Sequence, residues 1–318
     1  MRRPLFAGHY QPHLPGDLGF YDLRVPETRT DQAALAREYG IHGFCYYYYW
    51  FDGRRLLERP LDEVHASGEP DFPFCVCWAN ENWTRRWDGR DDDILVAQAY
   101  SADADRRLAA DLAPLFRDAR YIRIGERPLF VVYRASELPD PRAFSDRFRE
   151  QARRDGIAAP FLAFVEHPGL PSPGEWGFDA AVEFPPHGFA AGEVTPPVQF
   201  HSPNLAVKVY DYVHTAKSAI ARPLPDYRLF RGVMTGWDNT PRLPQNGNVF
   251  VNTHPANYER WLSAVVAQTL QRNPPEERFA FINAWNEWAE GCHLEPDEAF
   301  GRAYLEATRR AVATTART

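Results

Sequence analysis

Apolar positions along the chain fall into two periods. Seven short runs rich in Val, Ile, Phe and Tyr are bounded by Pro or Gly and read as buried strands. They span 41–49, 72–79, 128–134, 160–166, 178–184, 228–236 and 278–286. Helical spacing fills most of the intervals. Residues 30–39 carry Thr30 as a candidate N-cap and Gly40 as a stop. In 102–120, Leu108, Leu112, Leu115 and Phe116 share one helical face. The stretches 141–154, 209–221, 255–272 and 298–313 behave in the same way.

Alternating strands and helices predict a parallel sheet. No Gly/Ser-rich hinge divides the chain, so the pattern predicts one α/β domain over 1–318, a TIM-barrel-like (β/α)8 fold. The count is one strand short, and the deficit is placed at the N-terminus. An open sheet leaves unpaired edges between 41–49 and 278–286. Residues 1–12, a neighbouring subunit or a swapped segment are expected to cover them.

Composition narrows the function. No run is long and apolar enough for a transmembrane helix, and the N-terminus lacks the apolar core of a secretory signal. A cytoplasmic location is therefore expected. The net charge of -7 argues against a nucleic-acid partner. Neither G-x-G-x-x-G nor a P-loop is present, and no nucleotide or other cofactor is predicted. Cys45, Cys75, Cys77 and Cys292 lack zinc-ligand spacing, and His9, His13 and His167 show no metal-binding spacing among themselves. Asp91-Asp92-Asp93 resembles the metal-holding D-x-D of sugar transferases but reads as a solvated turn.

The aromatic fraction of 14% is more informative, because Trp and Tyr cluster with Asn, Asp, Glu and His. Sugars require that mixture, since rings stack on C–H faces while carboxylates and amides take hydroxyls. The clusters follow strands, and in a parallel barrel the C-terminal strand ends share one mouth. Tyr47, Tyr48 and Trp50 close the first strand, and Trp78, Asn80, Glu81 and Trp83 the second. Glu183 and His187 follow the fifth, Trp237, Asp238 and Asn239 the sixth, and Asn286 and Trp288 the seventh. These form the expected carbohydrate-binding set. Glu287 and Glu290, at i and i+3, are the candidate catalytic pair, because glycosidic cleavage commonly uses two carboxyl groups. The same spacing also suits a capping or salt-bridge pair. Glu81 is a second candidate acid.

Five segments, 8–24, 39–64, 72–89, 231–242 and 282–297, resemble in order the WbsX-type family, often labelled glycosyltransferase and similar to glycoside hydrolase family 99. The resemblance implies a (β/α)8 barrel acting on glycans. Family 99 hydrolases cleave α-mannosides with retention, through a proposed 1,2-anhydro sugar. Their N-E-W-H-E-G motif is matched by Asn286-Glu287-Trp288-Ala289-Glu290-Gly291. This implies Glu287 as the base at the 2-hydroxyl and Glu290 as the acid. Ala289 and Tyr48 stand where related proteins have histidine. The family's opening strand, before the segment that here begins at Met1, is the one the count lacks.

Overall fold

The computed structural model of the chain describes residues 4–85, 90–189, 198–202 and 205–315. Its centre is a parallel sheet of seven strands, all at the predicted places. We number them β1 (Phe44–Phe51), β2 (Phe74–Trp78), β3 (Arg127–Val132), β4 (Phe161–Val165), β5 (Ala180–Val182), β6 (Leu229–Met234) and β7 (Ala280–Asn283). Each pairs in parallel with the next in chain order. The sheet curls in a TIM-barrel-like arc, and Phe44 of β1 meets Trp285 just past β7, with ring centroids 5.2 Å apart.

Among the described residues β1 and β7 do not pair, so the barrel stays open. The β1 edge is covered differently from the expectation. The chain turns at Asp52 and Gly53, both at positive φ, and Arg54–Leu56 pairs antiparallel with Tyr49–Phe51. A strand edge folded back on itself is a local solution to edge exposure. Residues 4–16 lie elsewhere, where Phe6 bridges Phe200 and Pro15 bridges Asp297.

Among the described residues seven α-helices surround the sheet: α1 (Pro26–Glu38), α2 (Arg59–Ser67), α3 (Ala102–Arg117), α4 (Pro141–Arg154), α5 (Tyr212–Ala221), α6 (Pro255–Arg272) and α7 (Ala303–Thr315). The start of α1 corrects the predicted cap. The helix begins with Pro26 in its first turn, and Thr30 lies inside it, bonded to the Pro26 carbonyl. α3 and α4 are capped by Ser101 and Asp140, whose side chains accept from Ala104 and Ala143 backbone N–H groups. Residues 209–211, predicted as the start of a helix, belong to a strand, Lys208–Asp211, beside Asn248–Val251. Asp93 lies in a strand, Arg90–Val96, paired with Trp83–Arg85, rather than in a turn. The side chains of Asp91 and Asp92 fall outside the described residues.

Alternation along each strand divides the sheet into two faces. Phe74 packs on Tyr121, which in turn packs on Phe116, Phe130 stacks on Phe148 of α4 at 4.9 Å, and Trp78 stacks on Phe144 at 5.8 Å. These outward residues form the core under the helices, while the opposite face lines the barrel. Among the described residues no helix is long and apolar enough to cross a membrane.

Candidate active site

The seventh strand runs directly into the candidate acids. Asn286–Glu287 pairs with Cys292–His293 as a short hairpin around a tight turn, Trp288–Glu290. Gly291 ends the turn at φ 56°, where a β-carbon would meet Asp238 and His13 at 3.1 Å. This turn projects Glu287 and Glu290 toward the same guanidinium. Arg242 Nη2 donates to Glu287 Oε1 and its Nη1 to Glu290 Oε1, each at 3.0 Å. Two oxygens on neighbouring arms of one planar guanidinium lie within about 8 Å of each other. Glu287 is the more exposed of the two, 32% against 18%. Desolvation pushes the Glu287 carboxyl above the usual carboxylate range, and the Arg242 charge opposes it.

Inward-facing rings surround this pair. Tyr47, 39% exposed, contacts Tyr133 and Phe184. Tyr49 meets Trp83 edge-on at 5.0 Å. The Tyr49 hydroxyl is pushed up to about 12 by burial and by the Glu287 charge. His187 continues the wall, with its Nε2 3.4 Å from the Tyr133 hydroxyl and its ring beside Trp237. Glu81 also faces the mouth but is held by Arg134 Nε at 2.8 Å. Arg134 Nη1 donates to His167 Nε2 at 2.6 Å, and burial together with the Arg134 charge drops His167 to about 4. The carboxyl pair, the rings and the Arg134–Glu81–His167 trio lie together, with Tyr133 between them, as one aromatic and polar cluster.

Several predicted binding residues lie outside it. Tyr48, Trp50 and Trp78 point outward. The Trp50 indole donates to Asp111 of α3, and the Trp78 indole to the Trp50 carbonyl. Their place in the strand puts them on the helix side. Asn80 is buried and spends its amide on the Arg134 backbone and the Tyr100 hydroxyl, clasping the ends of β2 and β3. Glu183 is buried against Arg231 and the Gly232 N–H, both at 2.8 Å. Asp238 is saturated by His9, Gln11 and two donors of Thr240 at 2.6–2.9 Å. Burial raises its pKa, but these bonds outweigh burial and hold it below the usual range. Asn239 accepts from the Asn248 N–H and shapes a turn, and Trp237 is nearly all core. Asn286 and Trp288 border the pair and are fixed through buried Glu295. Trp288 Nε1 donates to Glu295 at 2.7 Å, and Asn286 Nδ2 to Tyr21, whose hydroxyl in turn donates to Glu295.

The predicted binding set left out Arg242, and also Tyr49, Tyr133 and Arg134, although these three close strands 41–49 and 128–134 at the same mouth. Tyr49 was open to sequence reasoning, because it shares the strand face of Tyr47 two residues away.

The family model described as "Glycosyltransferase WbsX" matches residues 1–308. "Uncharacterized protein WxcX" from two strains of Xanthomonas campestris pv. campestris is 47% identical over 309 residues, 97% of this chain and 44% of that protein. The chain thus spans under half the length of these curated relatives. A structure described as "Glycoside hydrolase-like protein" aligns with TM-score 0.65 at 12% identity, over 94% of this chain and 89% of its own. The GH99 endo-alpha-mannosidase of Bacteroides thetaiotaomicron aligns with TM-score 0.59 at 14% identity, over 99% and 91%. At these identities the likeness shows a shared fold.

Proposed function

Because the chain belongs to the WbsX glycosyltransferase family, we propose that it is a carbohydrate-active enzyme that cleaves or transfers glycosidic bonds of a surface-type glycan with retention. One observation carries the reading: Glu287 and Glu290 sit on one turn, bridged by Arg242, inside an aromatic wall. Tyr47, Tyr49 and Trp83 offer faces and edges to sugar C–H groups. Glu287, made more basic by burial, takes the proton of the substrate's 2-hydroxyl. That oxygen attacks the anomeric carbon and forms a 1,2-anhydro ring. Glu290 gives its proton to the departing glycosidic oxygen. It then takes a proton from water, or from an acceptor hydroxyl, as that oxygen opens the ring, and Glu287 returns its proton to the 2-oxygen. Water gives hydrolysis and an acceptor sugar gives transfer. The fold shared with an endo-alpha-mannosidase makes α-mannosides the first substrates to try.

The test is turnover of α-mannosides with good and poor leaving groups by wild type, Glu287→Gln and Glu290→Gln. Glu287→Gln lowers both classes by about 10²–10⁴-fold, and Glu290→Gln spares the activated aryl glycosides. Full activity in both variants refutes the pair and moves the chemistry to Glu81. The family description favours a second reading, transfer from an activated sugar donor. It predicts turnover of nucleotide sugars and none of simple glycosides. A wild type that binds glycans and turns over neither is a binding module.

A further inference from the structure

The N-terminal segment meets the loop after Gly291 at a second polar cluster. His13 comes from the segment, and His293 and Asp297 from the loop. Chain spacing gives His13 no metal-binding partners, but the fold supplies two. One donor atom from each residue lies within 4.8 Å of the others. His13 Nδ1 is 3.0 Å from His293 Nε2, which is 3.9 Å from Asp297 Oδ2. We propose that His13, His293 and Asp297 bind a divalent transition-metal cation of the zinc class, fastening the N-terminal segment to the loop that carries the glutamate pair.

The donor set and its spacing fit such an ion. Two imidazoles and a carboxylate suit zinc and its first-row neighbours. Ligand atoms about 2.0–2.1 Å from one tetrahedral zinc sit about 3.3 Å apart. The observed 3.0 and 3.9 Å straddle that value, and with all three donor atoms within 4.8 Å of one another a contraction of at most about 1.5 Å seats the ion.

Outer contacts aim each ligand. His293 Nδ1 lies 3.2 Å from the Glu295 carbonyl, which only accepts, so the ring proton sits on Nδ1 and the Nε2 lone pair faces His13 and Asp297. Trp288 stacks on the same ring at 3.8 Å and 15°, fixing its plane. Asp297 Oδ1 accepts from the Phe300 N–H at 2.6 Å, which turns Oδ2 toward the imidazoles. A proton shared between the histidines accounts for their 3.0 Å contact. It leaves buried Asp297 Oδ2 with a long 3.4 Å bond from Tyr10, whereas a cation satisfies all three groups. Binding moves the His13 proton from Nδ1 to Nε2, with no net proton release. Three protein ligands leave a fourth position for water. His13 borders a cavity of about 590 Å³ beneath the N-terminal segment that can supply it.

The whole chain, stripped with a chelator, is titrated with Zn²⁺ alone by calorimetry and with Co²⁺ by visible absorption. The expected result is one ion per chain at micromolar affinity or tighter, with a raised melting temperature. Losing an outer-shell partner costs metal sites about 10–100-fold, so losing a ligand in His293→Gln weakens Zn²⁺ by about a hundredfold or more. Asp297→Asn weakens it as well, and His65→Gln, on α2, leaves it unchanged. Anomalous scattering from Zn²⁺-soaked wild-type crystals places the ion whether or not a variant folds. Absence of stoichiometric uptake by wild type, a peak elsewhere, or unchanged affinity in a folded His293→Gln or Asp297→Asn overturns the site.

Discussion

Arg242 holds both candidate acids, so its removal has a calculable signature. Arg242→Met keeps the apolar stem and deletes the charge. Each lost contact is a 3.0 Å charge-assisted bond. At an effective dielectric of about 20, such a pair has a gross attraction of about 4 kcal/mol. All three side chains are partly exposed, at 18–32%, so screening and desolvation leave about 1 kcal/mol for each contact. The variant is then about 2 kcal/mol less stable at neutral pH, a fall of about 3 °C in Tm for a chain of this size. The pH dependence identifies the cause. Burial already raises the Glu287 pKa, and deleting the opposing cation raises it further. The folded variant therefore takes up protons at higher pH than its unfolded chain. Its stability relative to wild type is kept below the unfolded carboxylate range and lost as pH rises through the folded pKa. Thermal or denaturant unfolding of both proteins at pH 4 and pH 7 measures it. An equal deficit at the two pH values would mean that the stem's packing, and not its charge, was lost, and would refute the argument.

Trp78→Ala removes a buried ring stacked on Phe144 and costs about 3–5 kcal/mol, while Trp83→Ala weakens glycan binding with far less loss of Tm. Calorimetry and glycan titration on both variants separate core from cleft, and a stable Trp78→Ala that loses only affinity contradicts the assignment. Gly291→Ala forces a side chain into positive φ against Asp238 and His13, at a cost of about 1–3 kcal/mol seen in chemical denaturation. Asp238 has a folded pKa below its unfolded value, so its contribution is present near neutral pH and fades as pH falls through the folded pKa. Asp238→Asn should abolish that part of the acid-induced loss, and an unchanged acid transition counts against it.

The seven strands were legible because each is a short apolar run between breakers, and their order follows from alternation with helices. Which face a side chain takes was not legible from clustering alone. Tyr47-Tyr48-Tyr49-Trp50 is one patch in sequence, yet a strand sends Tyr47 and Tyr49 to the cleft and Tyr48 and Trp50 to the helices. Register against α3 and α4 decides this, and register is a tertiary fact. The amide and acid residues after strands were over-read for a related reason. Asn80 and Glu183 are consumed by backbone and arginine partners and Asp238 by His9 and Gln11, all from distant segments, as buried polar groups must be. Arg242 lay inside a quoted motif, but nothing local says that its guanidinium meets residues 45 and 48 positions further on. The helix α2 was missed because it is short. The start of α1 was misplaced because Thr30 outweighed the stronger sign, Pro26.

The bonds of the N-terminal segment also bear on the order of assembly. His9 and Gln11 reach Asp238 across 229 and 227 residues, and His13 reaches His293 across 280. The Asp238 N–H donates to the Glu290 carbonyl at 2.7 Å, so these contacts end on the glutamate turn. Contacts of such separation are the costliest to close and form late. Residues 9–13 therefore wait for partners made 227 to 280 residues later. While the ribosome is still producing the barrel, His9 and Gln11 lack Asp238, and Arg242 lacks both acids. Synthesis itself keeps the Arg242–Glu287–Glu290 bridge from closing until residues beyond 290 have emerged.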